Sequence, residues 1–267
     1  MRAQPATASA ILEVVPPLPN IGISTSAYAD LPLEAALARI AGLAPAAEIR
    51  SFGAHSVLHR RCRRAALEAG LAYTVHGPFG SNGLGDVSRQ SRRDALHEHR
   101  RHLEASAEIG ATIYVVHPDW HRPGGPRQAA TAAMLELSFA ELRELQDQVG
   151  VEIVVENMPG AEHSHFTHPG DLDLRGLGLL LDAGHAAVSG CLDAWLADPC
   201  APLRHVHLHS NGGPGDGDRH LALGAGVVDA AAVLAAARAA GASVVLEHDN
   251  SDAVLESLAY LRSLGLP

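Results

Sequence analysis

The chain has 267 residues, 47% of them hydrophobic and 19% charged, with 30 acidic against 20 basic side chains and a formal charge of -10. That is apolar material for one large core or two small ones, and the acidic balance argues against a general nucleic-acid coat while leaving room for a local basic groove. Cys62, Cys191 and Cys200 form no Cys-x-x-Cys pair, and no apolar run reaches the ~18 residues that span a bilayer, so the expectation is a cytoplasmic protein with no membrane association.

Residues 1–18 carry one basic side chain and an apolar stretch broken by Glu13, and read as a loose N-terminal extension to a folded region spanning 19–267. Short apolar runs then alternate with longer Ala/Leu/Arg/Glu segments. In chain order the reading is a strand over Asn20–Ser24, a helix over Leu33–Ala41, a strand over Ala47–Ser51 and a helix over Ser56–Glu68 stopped by Gly70. A strand over Leu71–His76 precedes a helix over Ser88–Ile109 that closes at Gly110. Thr112–His117 is the next strand, and Arg127–Val149 a helix closed by Gly150. Strands follow over Glu152–Glu156, Gly178–Asp182, Arg204–His209 and Ser243–Glu247, separated by short elements at Asp171–Leu174 and Cys191–Ala197 and a helix over Asp229–Ala240 before Gly241. A helix over Asp252–Leu264 comes last.

The strands are Val/Ile/Leu-rich on consecutive positions, as in a parallel sheet buried on both faces. Eight of them alternating with helices predict an α/β fold, a single (β/α)8 TIM barrel. A doubly wound sheet would place a glycine-rich phosphate loop after its first strand, and NIGISTSAYAD offers none.

Nine potential metal ligands punctuate these runs: His76 in LAYTVHGPF, His117 in TIYVVHPDW, Glu156 in VEIVVEN, Asp182 and His185 in LGLLLDAGH, His207 in LRHVHLHS, Asp218 and His220 in GDRHLALG, and Glu247 in ASVVLEHDN. Barrel active sites form at the carboxyl ends of strands, so these residues converge on one mouth. Glu156, Asp182, His207 and Glu247 follow runs too apolar for solvent, and three buried carboxylates repel unless a cation sits among them. Their oxygen and nitrogen donors suit Zn, Mn, Mg or Co. His76 and His117, with Glu156, offer a second group, and His185, Asp218 and His220 a third, for one to three divalent ions per chain. Glu48 and Arg50 on the second strand are candidate substrate contacts or a barrel ion pair. The HEHRRH run (His97 to His102) reads as a solvated helix face, and EHSHFTH (His163 to His168) as a surface loop or part of a lid. No Gly-x-Ser-x-Gly elbow or Walker loop is present.

VVENMPG, LLLDAGH, HVHLHSNGGPGDGDRHLALGAGVVD and VVLEH together resemble the xylose isomerase-like TIM-barrel superfamily, the AP endonuclease family 2 group, over roughly Ile21 to Leu264. By resemblance to its ketose epimerases, Glu156, Asp182, His207 and Glu247 hold one ion, Glu156 and Glu247 exchange a proton as catalytic acid and base, and His185 binds a substrate oxygen. By resemblance to its endonuclease IV branch, all nine residues ligate a trinuclear zinc centre. The chain departs from that branch at Ser210, where many relatives carry Asp, and in lacking a basic, aromatic segment for prying out a nucleotide, Phe79 and Tyr28 being the sole candidates. The resulting expectation is a metal-dependent sugar or sugar-phosphate isomerase or epimerase of carbohydrate metabolism, with a small carbohydrate substrate. A multinuclear-zinc phosphodiesterase is the alternative.

Overall fold

The computed structural model describes residues 21–78, 83–118, 127–160 and 164–265; the expected N-terminal extension, Phe79 and His163 lie outside them. Eight parallel strands form a closed barrel in sequence order: β1 (Ile21–Ser24), β2 (Ala46–Arg50), β3 (Ala72–His76), β4 (Ile113–Val116), β5 (Glu152–Glu156), β6 (Gly178–Asp182), β7 (Leu203–Leu208) and β8 (Ser243–Leu246). β1 closes the ring on β8 by pairing Gly22 with Val245. The helices are α1 (Leu33–Ala41), α2 (Arg60–Ala69), α3 (Arg89–Glu108), α4 (Arg127–Val149), α5 (Ala183–Val188), α6 (Leu192–Ala197), α7 (Ala230–Ala240) and α8 (Ser251–Ser263). The fold is the single (β/α)8 barrel expected from sequence.

Alternation along each strand sends every second side chain inward. On the β4–β6 side the inward positions below the mouth are apolar: Ile113, Val115, Val154 and Leu180 form a cluster of their own inside the ring. On the β2, β3 and β7 side the same depth is polar, with Glu48, Thr74 and His205 all buried. The next inward positions up are Arg50, His76, His117, Glu156, Asp182, His207 and Glu247. The outward faces pack the helices in the main core, where Leu37, Leu103, Leu142 and Leu258 meet Ile49, Val75, Val155 and Val206.

Gly70, Gly110, Gly150 and Gly241 all adopt positive φ at the helix ends assigned to them. Several local expectations are corrected. The helix expected from Ser56 begins at Arg60, after a 3-10 turn over Gly53–His55. Asp171–Leu174 is not helical; Asp171 instead accepts hydrogen bonds from the Thr167 and His168 amides at 2.9 and 2.7 Å, which turns the chain. The HEHRRH run is not wholly solvated, because His99 and His102 share a helix face with Ala95, Leu103 and Ser106 and are buried. Nor is the described part of EHSHFTH a surface loop. Ser164, Phe166 and Thr167 are buried, Phe166 packs edge-on against Trp195, and the Trp195 indole donates to the Thr167 carbonyl. α5 was not foreseen, since six residues are too few to show helical periodicity.

Candidate metal centre

At the carboxyl end of the barrel the nine expected ligands come together in three groups joined by shared neighbours. In the first, His76 Nε2, His117 Nε2 and Glu156 Oε2 form a triangle with sides of 3.1, 3.3 and 2.9 Å. In the second, His207 Nδ1 faces Glu247 Oε2 at 2.9 Å, Glu156 Oε1 at 3.5 Å and Asp182 Oδ2 at 3.7 Å. In the third, Asp218 Oδ2 lies 3.1 Å from His185 Nε2 and 3.0 Å from His220 Nε2. Glu156 belongs to the first two groups, and its Oε1 is also 3.5 Å from His185 Nδ1. His209, on the same strand face as His207, is a member the sequence reading left out: its Nε2 contacts both Asp182 oxygens at 3.0 and 3.1 Å, and it stacks on His220 at 4.1 Å. It fits because residue 184 is glycine; a methyl group there would collide with the His209 ring.

The chain aims these ligands through their far sides. His76, His185 and His220 each turn Nδ1 to a backbone carbonyl, of Gly77, Asn157 and Glu247 respectively, at 2.9, 2.8 and 3.1 Å, which leaves Nε2 for the centre. Asp182 ends its strand and caps α5 by accepting from the His185 amide at 2.7 Å, so one turn of chain places two ligands. Asn157 and Asn211 were also missed from sequence. Asn157 bonds the Asp182 amide and carbonyl at 2.7 and 3.1 Å, and Asn211 donates to Asp218 Oδ1 at 3.1 Å.

These donor sets fit divalent cations. Glu156 Oε2 and both ring nitrogens of His207, with Glu48 Oε1 beneath, are fully buried and complete no hydrogen bond of good geometry, although acceptor and imidazole nitrogens crowd around them. Buried oxygen and nitrogen donors that converge on one point are what a cation satisfies. The electrostatics agree. Burial alone would lift the Glu156 carboxyl, but His117 and His207 beside it hold it well below the carboxylate range. Against the same burial, Glu247 is held down to about 2, chiefly by His207. Burial would lower His185 and His220, yet Asp182 and Asp218 raise His185 to about 10, and Asp218 and Glu247 do the same for His220. Protons on His185, His207 and His220 therefore supply positive charge to the carboxylates, while burial pushes His117 the other way.

A cavity of about 350 Å³ opens onto the centre, lined by Ser26, Arg50, His76, His117, Glu156, His185, Asp218, His220, Glu247 and Asp249. Arg50, expected as a substrate contact, lies in this lining. Glu48 does not. It is fully buried one layer below, between Thr74, His205 and His207, so the expectation of a substrate contact there is corrected: two residues back along the strand is one layer deeper in the barrel. Arg204 pairs with Glu152 at 3.0 Å on the partly exposed outer face, away from the centre.

The family model described as xylose isomerase-like TIM barrel matches residues 43–264, and the chain belongs to that family. The uncharacterized protein MJ1614 of Methanocaldococcus jannaschii is 28% identical over 217 residues, covering 79% of this chain and 84% of that protein. A probable endonuclease 4 of Mycobacterium ulcerans is 30% identical over 212 residues, covering 73% and 79%. Among solved structures, a D-tagatose 3-epimerase-like protein superposes with a TM-score of 0.80 at 22% identity over 91% of this chain and 96% of its own. A Thermus thermophilus protein soaked with ZnCl2 superposes at 0.66 with 25% identity over 92% and 97%.

Proposed function

We propose that this chain is a divalent-metal-dependent enzyme with a multinuclear centre that hydrolyses phosphoesters, and that His76, His117, Glu156, Asp182, His185, His207, Asp218, His220 and Glu247 hold the ions. The observation that carries the reading is the pair of outer triangles, His76–His117–Glu156 and His185–Asp218–His220, built with the same care as the inner four. A single-ion enzyme has no use for them as ligands. The sequence likeness to probable endonuclease 4 proteins supports the same choice.

Bound ions would supply Lewis acidity at the phosphoryl group and neutralise charge on the departing oxygen. The protein's own part is to hold the site and admit the ester. Glu156, shared by two groups, fixes their spacing. Arg50, the one Arg or Lys lining the cavity among the described residues, is placed to meet an anionic oxygen of the substrate, and Ser26 and Asp249, from the neighbouring ends of β1 and β8, line the same cavity. Ser26 is itself held by donating to the His248 carbonyl at 2.9 Å.

The isomerase or epimerase reading retains one specific observation. Glu156 and Glu247 approach a common point beside His207 Nδ1 from different strands, as an acid–base pair on two faces of a ketose would, with His185 and Arg50 as substrate contacts. Elemental analysis of protein purified without chelator separates the two. Two or three Zn, Mn or Co per chain, with turnover of bis(p-nitrophenyl) phosphate or abasic-site DNA, are expected. One ion per chain with turnover of a ketose panel and no phosphoester cleavage would overturn the hydrolase reading.

A further inference from the structure

We infer that Glu48 is a positioning residue for the centre: it fixes which ring nitrogen His207 offers to the metal, working from beneath the barrel mouth. The inference rests on the metal-centre reading above.

His207 is oriented unlike His76, His185 and His220. Those three turn Nδ1 to a backbone carbonyl and offer Nε2. His207 offers Nδ1 to Glu247, Glu156 and Asp182, and its Nε2 points down into the ring. Inside a closed barrel the backbone carbonyls are engaged between strands, so none is free along the axis to receive that nitrogen. A side chain has to do it, and Glu48 Oε1 lies 2.8 Å from His207 Nε2, both residues 0% exposed.

A neutral imidazole carries one N–H and one lone pair. With both nitrogens facing carboxylates, the ring holds two protons; a cation at Nδ1 displaces the proton shared with Glu247, and the one that remains stays on Nε2, where the Glu48 carboxylate 2.8 Å away stabilises it. A carboxylate partner also makes the imidazole a more basic ligand than a carbonyl does.

Glu48 is in turn held from three strands. Its Oε2 accepts from Thr74 Oγ1 at 3.0 Å and from His205 Nε2 at 3.0 Å, and His205 Nδ1 meets Ser243 Oγ at 2.6 Å at the bottom of the barrel. A carboxylate is kept at 0% exposure on the polar side of a ring whose other side is Ile113, Val115, Val154 and Leu180. Burying a charge this way costs stability unless it is fully partnered, and its contacts run to His207, to Thr74 and to the ring's base.

The test is zinc affinity by competition against a coloured chelator, with cobalt substitution as a spectroscopic reading of ligand geometry. Wild-type protein comes first: if it binds no divalent ion above background, the metal-centre reading itself fails. If it binds, Glu48→Gln, which keeps the shape and removes the charge, is expected to weaken one zinc site about 10- to 100-fold, leave the number of sites unchanged and shift the cobalt spectrum. Glu48→Asp should recover part of that loss. Wild-type affinity in Glu48→Gln with only a lower melting temperature would mean a purely structural role and overturn the inference. Loss of one whole site, with the others unaffected, would make Glu48 a ligand through its contacts with His205 and His207, and would overturn it as well. Should Glu48→Gln fail to fold, Ser243→Ala and Thr74→Val loosen Glu48 without approaching the ion. Each is expected to weaken the same single site several-fold, and wild-type affinity in both would overturn the inference.

Discussion

Two sets of histidines in this molecule behave in opposite ways. At the barrel mouth, His185 and His220 sit against Asp218 and are raised to about 10. On α3, His99 and His102 are buried too, but their ring nitrogens meet hydroxyls, Tyr114 at 3.0 Å and Ser51 at 2.9 Å, and burial pushes them down to about 3 and about 4. Burial by itself drives an imidazole neutral; a carboxylate reverses the sign. The α3 histidines act as polar spacers that satisfy hydroxyls between helix and barrel. Those at the mouth form a charged assembly with their carboxylates.

The comparison breaks most visibly at Glu156, the carboxylate common to two ligand groups. Glu156→Ala should abolish two groups together, lowering metal content toward one ion per chain and activity by more than about 100-fold, since losing a ligand costs more than losing a ligand's partner. Full metal content in the variant would show that the groups are independent. Next in size is metal removal. If ions bind with a thousandfold excess over their dissociation constants, stripping them with chelator withdraws about 4 kcal/mol per ion, on the order of 10 °C in melting temperature for each in a chain of this length. Calorimetric scans with and without chelator measure it, and coincident scans would sink the idea that the mouth is built around cations. A smaller effect is expected for Asn211→Ala, which frees Asp218 from its 3.1 Å bond and should weaken only the third group, by about tenfold in zinc affinity.

How the sequence anticipated these two sets is instructive. The barrel was legible because strands buried on both faces are written as unbroken Val, Ile and Leu. The ligands at strand ends, from His76 on β3 to Glu247 after β8, interrupt that pattern where the chain leaves the core. Depth was not legible. Glu48 and Arg50 share a face by period two, and only the stagger of the closed ring decides that Arg50 reaches the cavity while Glu48 lies beneath it. Asn157 and Asn211 could not be found by spacing, because each acts on a residue brought near by folding: Asn157 spans from the end of β5 to Asp182 on β6. His99 and His102 hid inside a run of charged residues, and their burial follows from the helix face they share with Ala95 and Leu103 rather than from the run's polarity.

The mildest test falls on the α3 histidines and concerns pH. Their folded values lie below the ordinary 6.5, so the unfolded chain takes up protons first as pH falls. The stability they contribute is therefore complete above about pH 6.5 and is withdrawn as pH drops toward about 4. Across that window each histidine steepens the loss by up to about 1.4 kcal/mol per pH unit. His102→Gln keeps a polar atom for the Ser51 hydroxyl and cannot titrate. The variant should start slightly less stable at pH 7.5, because the imidazole packs better than an amide, and lose stability more gently between pH 6.5 and 4.5 in urea titrations of chelated protein. Chelation matters because protons and metal compete at the mouth and would otherwise dominate the slope. Parallel curves for the variant and the wild type would mean that His102 takes up its proton in the folded state as readily as in the unfolded chain, and the contrast between spacer and ligand histidines would then rest on His99 alone.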